Sequence, residues 1–177
     1  MTQNIVSAVF DSHSEAERAV SELRRAGARD TSLSLIAQEN GKTTTTSGDG
    51  SSEEHKGSIL RGILGGGALG AGLGVAALAI PGVGPLAAAG AIAASAVPEA
   101  IGIGAAIGAV GGSLNELLHK HGVSKEDADY YHERIKSGGV FVSVDTRDGG
   151  LDAGEAQEIL YAAGGHSSTR ARAGATI

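Results

Sequence analysis

Few side chains in this sequence stand close enough together to suggest chemistry. Gly65-Gly66-Gly67-Ala68-Leu69-Gly70 satisfies the pattern G-x-G-x-x-G, in which glycines let a backbone approach a pyrophosphate at a helix N-terminus. The chain holds 29 glycines, so the pattern arises easily by chance. No clear strand leads into it and no ribose-binding acid follows at the right distance, so dinucleotide binding is not expected. His119 and His121 flank Lys120, but on a helix their side chains point about 200° apart. They read as cations at a helix C-terminus rather than as a ligand pair. Asp127, Asp129 and His132 read as a solvated helix face. Asp145, Asp148, Asp152 and Glu155 depart from the alternating acids of a calcium loop and read as helix-capping acids. Ser95 has no His or Asp at triad spacing. The absence of cysteine removes disulfides, thiol catalysis and thiolate-bound zinc. The expectation is therefore a protein with no catalytic residue, no metal and no cofactor: not an enzyme.

What the chain offers instead is a smooth surface. Residues 57–112 carry two formal charges, Arg61 and Glu99, and 62–98 carry none. Gly62, Gly66, Gly70 and Gly74 recur at every fourth residue, and Gly104 and Gly108 repeat the spacing later. On helices those glycines would form faces that let a second backbone pack closely. The expected site is this helix-packing interface, and the expected partner is a second copy of the chain, with the lipid bilayer as a further candidate. The net charge of −6 argues against nucleic acid, and no small-molecule substrate is evident.

The flanking segments must position this surface. Ile5–Phe10 is expected as a buried strand. Ser14-x-x-Glu17 is a capping-box pattern, and Ala16, Ala19, Val20, Leu23 and Ala26 form a helical stripe stopped by Gly27. Thr31–Ala37 is a second strand. Further along, helices are expected ending at 115–122 and running from Ser124 to about Lys136. A strand of alternating Val140, Val142 and Val144 follows, then a helix through Ala156, Ile159, Leu160 and Ala163 stopped by Gly164-Gly165. The stretch from Ala8 (AVFDS…EAERAV) resembles that from Val142 (VSVDT…EAQEIL), which suggests two related β-α units.

Boundaries follow: 1–37 as a first β-α-β half, 38–56 as a flexible polar linker, 57–122 as apolar glycine-zipper helices, 123–165 as an α-β-α half, and 166–177 as a flexible tail. The expected fold class is α+β, a split ferredoxin-like α/β sandwich with an inserted Gly/Ala-rich helical hairpin or short helix bundle. Nineteen uncharged residues, 62–80, would reach about 28 Å as a helix, close to a hydrocarbon core of about 30 Å. Two features weaken that span: Gly and Ala supply little transfer energy, and Pro98-Glu99 reads as a helix start inside the return segment. The N-terminal MTQNIVSAVFDSHSEAE lacks a basic leader region, so no secretory signal is expected.

Three blocks in order, IVSAVFDSHSEAERAVSELRRAG, the Ile80–Gly90 turn IPGVGPLAAAG, and GVSKEDADYYHERIKSGGVFVSVDT, together resemble the bacterial general-stress (heat-induced stress protein, 17M-like) domain family. The resemblance covers most of 4–164. It implies a split ferredoxin-like domain holding a glycine-zipper insertion, association with stress, contact with membranes, and no established enzyme activity. Ser95-Ala-Val-Pro98-Glu99 departs from it by breaking a helix expected to run on. The expected function is a non-enzymatic stress-associated protein that self-associates through its glycine-zipper helices at or in the membrane, located on the cytoplasmic side of the inner membrane or in the cytoplasm. The alternative is a soluble self-assembling scaffold or shell with the apolar helices buried between subunits.

Overall fold

The computed structural model describes residues 4–38, 75–80, 84–90, 108–109, 113–147 and 150–171. The chain is mixed α+β. In order it forms β1 (Ile5–Phe10), α1 (His13–Arg25), a 3-10 turn at Asp30–Ser32, β2 (Leu33–Gln38), β3 (Val75–Ile80), β4 (Gly84–Gly90), β5 (Gly108–Ala109), α2 (Leu114–Lys120), α3 (Lys125–Lys136), β6 (Val140–Asp145) and α4 (Ala153–Ala162).

β6 lies between β1 and β2 and runs antiparallel to both, so β1 and β2 run parallel to each other and are linked through α1. On the far side of β1, Val9 forms an antiparallel bridge with His166. β6, α4 and that bridge repeat the arrangement of β1, α1 and β2 around a central antiparallel strand. Beyond β2 the sheet continues through β4, β3 and β5, giving the order β1-β6-β2-β4-β3-β5.

β1, β6 and β2 carry apolar residues on both faces, so both faces need cover. Ala8, Phe10, Leu33, Leu35, Val140, Val142 and Val144 meet Ala16, Ala19, Val20 and Leu23 of α1 and Ala156 and Leu160 of α4. On the opposite face Val9, Phe141 and Ile36 pack under Leu114, Leu117 and Leu118 of α2 and Tyr131 and Ile135 of α3. Fully burying each such Leu, Ile, Val or Phe contributes about 1.5–3 kcal/mol. Two helix layers thus enclose this part of the sheet: α1 with α4 on one face, α2 with α3 on the other.

The helix ends follow from local chemistry. Ser12, Ser113, Ser124 and Asp152 cap the four α-helices by accepting from backbone N–H groups two or three residues on. Each helix ends in a Gly at positive φ, namely Gly27, Gly122, Gly138 and Gly164. The N–H of the following residue returns to a carbonyl five residues back, as in Ala28 to Leu23 O at 2.9 Å. The cap of α1 is Ser12, with Glu15 as its partner, two residues before the expected Ser14-x-x-Glu17. Ser14 already lies inside the helix, because α1 begins at His13 directly after the extended Ser12.

Three expectations are corrected. The segments 75–80 and 84–90, expected as helix and turn within a helical insertion, are paired strands: Ile80 faces Gly84 and Val75 faces Ala89. Short apolar runs have no period that separates a buried strand from a helix, and Pro81 and Pro85 interrupt any helix through them. The open edge of β2 decides the matter by pairing Gln38–Ser34 with Leu86–Gly90. Pro85 lies one residue outside that pairing, near the start of β4, and stands opposite Ala79 of β3. Second, Gln38 belongs to β2 rather than to the linker; 39–56 lie outside the described residues. Third, the tail is held from 166 to 168: His166 is 2% exposed, and Ser168 N donates to Asp127 Oδ1 at 3.0 Å. The edge it adds is a single backbone bridge, His166 with Val9. Residues 172–177 lie outside the described residues, as do Ser95 and Pro98-Glu99.

Candidate functional site

The expected helix-packing glycines come first. Gly62, Gly66, Gly70, Gly74 and Gly104 lie outside the described residues. Gly108 does not sit on a helix: it opens β5, parallel to β3 and opposite Leu78. The helical face drawn through it is therefore corrected, because a strand directs neighbouring residues with a period of two rather than four.

The sheet itself builds a polar cleft that the expectations did not contain. On the α2/α3 face the strands carry three successive cross-strand rows. The first is Val9–Phe141–Ile36, under the helices. The second is Ser7–Ser143–Ser34. The third begins Ile5–Asp145 and continues at Ser32 beside β2. The α2–α3 hairpin covers the first row and stops. Its turn, Lys120–His121–Gly122, stands as a wall over the other two, leaving a cleft of about 500 Å³. Asn4 and Arg147 line its mouth. Ser32, Ser34 and Ser143 are each 4% exposed.

The partners of these groups differ. Ser7 Oγ lies 3.3 Å from Tyr131 Oη, and Tyr131 Oη donates to Ser7 O at 3.0 Å. Burial pushes the Tyr131 phenol above its usual range, so it stays a neutral donor. Ser32 Oγ donates to Arg29 O at 2.7 Å. The Arg147 fork meets Asp145, Nε to Oδ1 at 3.0 Å and Nη2 to Oδ2 at 2.6 Å. That guanidinium holds the Asp145 carboxyl below the usual carboxylate range, against a smaller opposing effect of burial. Lys120 reaches Glu116 one turn back at 3.1 Å. Burial pushes His121 below the usual imidazole range, so the ring in the wall is neutral near pH 7.

A second polar cluster ties the C-terminal segment to the body. His166 Nε2 donates to Asp11 Oδ1 at 3.2 Å, and Tyr130 Oη meets His166 Nδ1 at 2.9 Å. Arg134 reaches the same Asp11 oxygen at 3.5 Å and lies over the Tyr130 ring, 5.2 Å from its centre. Asp, His and Tyr in series resemble a proton relay, but both ring nitrogens of a buried His166 are engaged by protein groups. The cluster works as a clasp. Asp127, Asp129 and His132 serve similar ties: Ser168 Oγ donates to Asp127, Asn115 Nδ2 donates to Asp129, and His132 Nδ1 lies 2.8 Å from Asn115 Oδ1. Asp152 caps α4, as its position suggested. His119 Nδ1 lies 3.2 Å from Val123 O. Among the described residues no group of three or more His, Cys, Asp or Glu could hold a metal ion.

The sequence signal for the cleft was one serine inside each of three apolar strands, IVSAVF, LSLIAQ and VFVSVD. Only the register turns them into a row. The clasp had no local signal, since Asp11 and His166 are 155 residues apart. No family model, curated protein or solved structure matches the chain.

Proposed function

We propose that this chain is a non-enzymatic protein with a split ferredoxin-like body that self-associates through its Gly/Ala-rich segment, its partner being a second copy of itself. The strand order carries the fold reading: with the bridge at His166 counted as an edge, the sequence bridge-β1-β6-β2 is that of two interleaved split β-α-β units. The resemblance to the general-stress domain family carries the stress association.

One observation supports self-association most: the charge-free run 62–98 is continuous with the sheet, because its strands β3 and β4 extend the edge of β2. Among the described residues the outer side of β3 is paired only at Leu78 and Ala79, by the two-residue β5, and a strand paired over so short a stretch is a template for a further chain. The same observation favours a sister subunit over lipid. With Val75–Ile80 extended, a helix beginning at Gly62 has at most 13 residues, or about 20 Å, against a hydrocarbon core of about 30 Å. Among the described residues no helix is long and apolar enough to cross a membrane. Association at the cytoplasmic face of the inner membrane is the second reading, favoured by the absence of charge over 62–98.

The test is purification without detergent, followed by mass and bound phospholipid on one sample. Self-association predicts a lipid-free oligomer that Gly66→Leu with Gly70→Leu disrupts. Sedimentation with vesicles and loss of the oligomer in their absence would favour the membrane reading. A lipid-free monomer would refute both.

A further inference from the structure

The six-stranded sheet has two ends, and the chain treats them differently. At the β1 end it covers part of its own edge. Val9 exchanges two backbone hydrogen bonds with His166, both at 3.0 Å, and Asp11 and Arg134 set charge beside that bridge. A covering segment and nearby charge are the usual guards of an edge against a second chain. Among the described residues the other end has neither guard. It finishes in β5, which pairs only with Leu78 and Ala79 of β3. The inner side of β3 is held along its whole length by β4, from Val75 opposite Ala89 to Ile80 opposite Gly84. Val75, Ala76 and Ala77 are thus fixed in extended form, and among the described residues no strand pairs with their outer side. No charged residue stands between Gly62 and Pro98.

The occupant of this edge follows from its surroundings. Backbone groups at an edge pair with any extended strand, and a charge-free segment selects no partner by charge. The extended strand that always accompanies it in matching form is the same edge of a second copy. A two-fold relates an edge to its own copy in the antiparallel sense. β5 then fixes the register. It closes the outer side of Leu78 and Ala79 in both copies, so the overlap is confined to Val75–Ala77 and the axis falls at Ala76. Val75 stands opposite Ala77 of the second copy. Ala76 stands opposite itself, with about 4.5–5.5 Å between Cα atoms. Three residue pairs fall short of the roughly 1,200 Å² that a stable interface buries. The ladder therefore sets direction and register, and the uncharged run 62–98 supplies apolar area.

We propose, resting on the self-association reading above, that two copies join antiparallel through the β3 edge at Val75–Ala77, so that their sheets run on as one across a two-fold at Ala76. Each copy closes the edge of the other, which gives a discrete dimer rather than an open-ended stack.

The test is light scattering on the full chain purified without detergent, beside three variants at Ala76. The wild type should have twice the mass of the 17.5 kDa chain. Ala76→Lys and Ala76→Glu, each alone, set like charges opposite one another at the axis and should weaken the dimer about tenfold or more. Mixed in equal amounts they should restore it, because opposite charges then face each other. The neutral Ala76→Ser should stay dimeric. An oligomer unchanged in both charged variants, or a mixture that stays monomeric, would overturn edge pairing and leave self-association standing. A wild-type trimer would do the same. A wild-type monomer would overturn both. If the charged variants fail to fold, amide exchange of the wild type decides. Amides within Val75–Ala77 should exchange at least about tenfold faster once the dimer is diluted to monomer, and exchange that ignores dilution would overturn the proposal.

Discussion

The clasp at His166 is the sharpest quantitative test of how the body is held. His166→Ala leaves the backbone bridge to Val9 in place but removes the imidazole from a site that is 2% exposed. Two hydrogen bonds go with it. The one to Tyr130 Oη at 2.9 Å contributes about 0.5–1.5 kcal/mol. The one to Asp11 is longer, 3.2 Å, and Asp11 is 39% exposed and keeps Arg134, so about 1 kcal/mol is assigned to it. The edge-on contact between the rings of Tyr130 and His166, 5.7 Å between centres, adds about 0.5–1.5 kcal/mol. The sum is about 2–4 kcal/mol, or roughly 4–16 °C in Tm for a chain of this size. Chemical denaturation followed by circular dichroism measures it. Tyr130→Phe tested alone and with His166→Ala should show a coupling of about 1 kcal/mol. Arg134→Gln is the control: its ion pair to Asp11 is half-exposed on both sides and is worth under about 1 kcal/mol. A loss of less than about 0.5 kcal/mol in His166→Ala, or no coupling to Tyr130, would refute the clasp.

Other outcomes follow from the same geometry. Gly165→Ala places a Cβ 2.7 Å from Leu160 O and 2.8 Å from Ala8 Cβ, so thermal denaturation should show a loss of about 1–3 kcal/mol; wild-type stability would contradict that packing. His121 has its folded pKa lowered by burial, so the unfolded chain binds the proton first as pH falls. Its contribution to stability is whole above the unfolded value of about 6.5 and declines below it. An imidazole titration by NMR should therefore find its midpoint below about 6.5, and a higher midpoint would reverse the sign. His13 shifts the same way, by burial opposed by Glu17, and should titrate likewise. Backbone Cα and Cβ shifts of 75–80 and 84–90 should be those of strands, with slow amide exchange along β4, which is paired on both sides; helical shifts would restore the hairpin.

Much of the body was legible because local rules and global packing agree there. Ile5–Phe10 and Val140–Asp145 were readable to the residue, since β-branched runs bounded by polar residues and glycines leave little choice. The stripe Ala16, Ala19, Val20 and Leu23 is buried as its spacing required. The internal likeness of the two β-α units is matched by β1 and β6 as neighbouring antiparallel strands with α1 and α4 on a common face. The apolar segment misled because alanine favours a helix locally, a preference of well under about 1 kcal/mol per residue that pairing with a partner edge outvotes, and β2 supplies that edge. The cleft and the clasp were hidden for a different reason. Each joins residues far apart in the chain, and a serine row exists only once β1, β6 and β2 are in register.

Self-association through the Gly/Ala-rich segment is tested most directly by light scattering on the full chain, purified without detergent and assayed for phospholipid. The account predicts a lipid-free mass that is an integral multiple of 17.5 kDa and falls to the monomer in Gly66→Leu with Gly70→Leu. A wild-type mass of 17.5 kDa would contradict it.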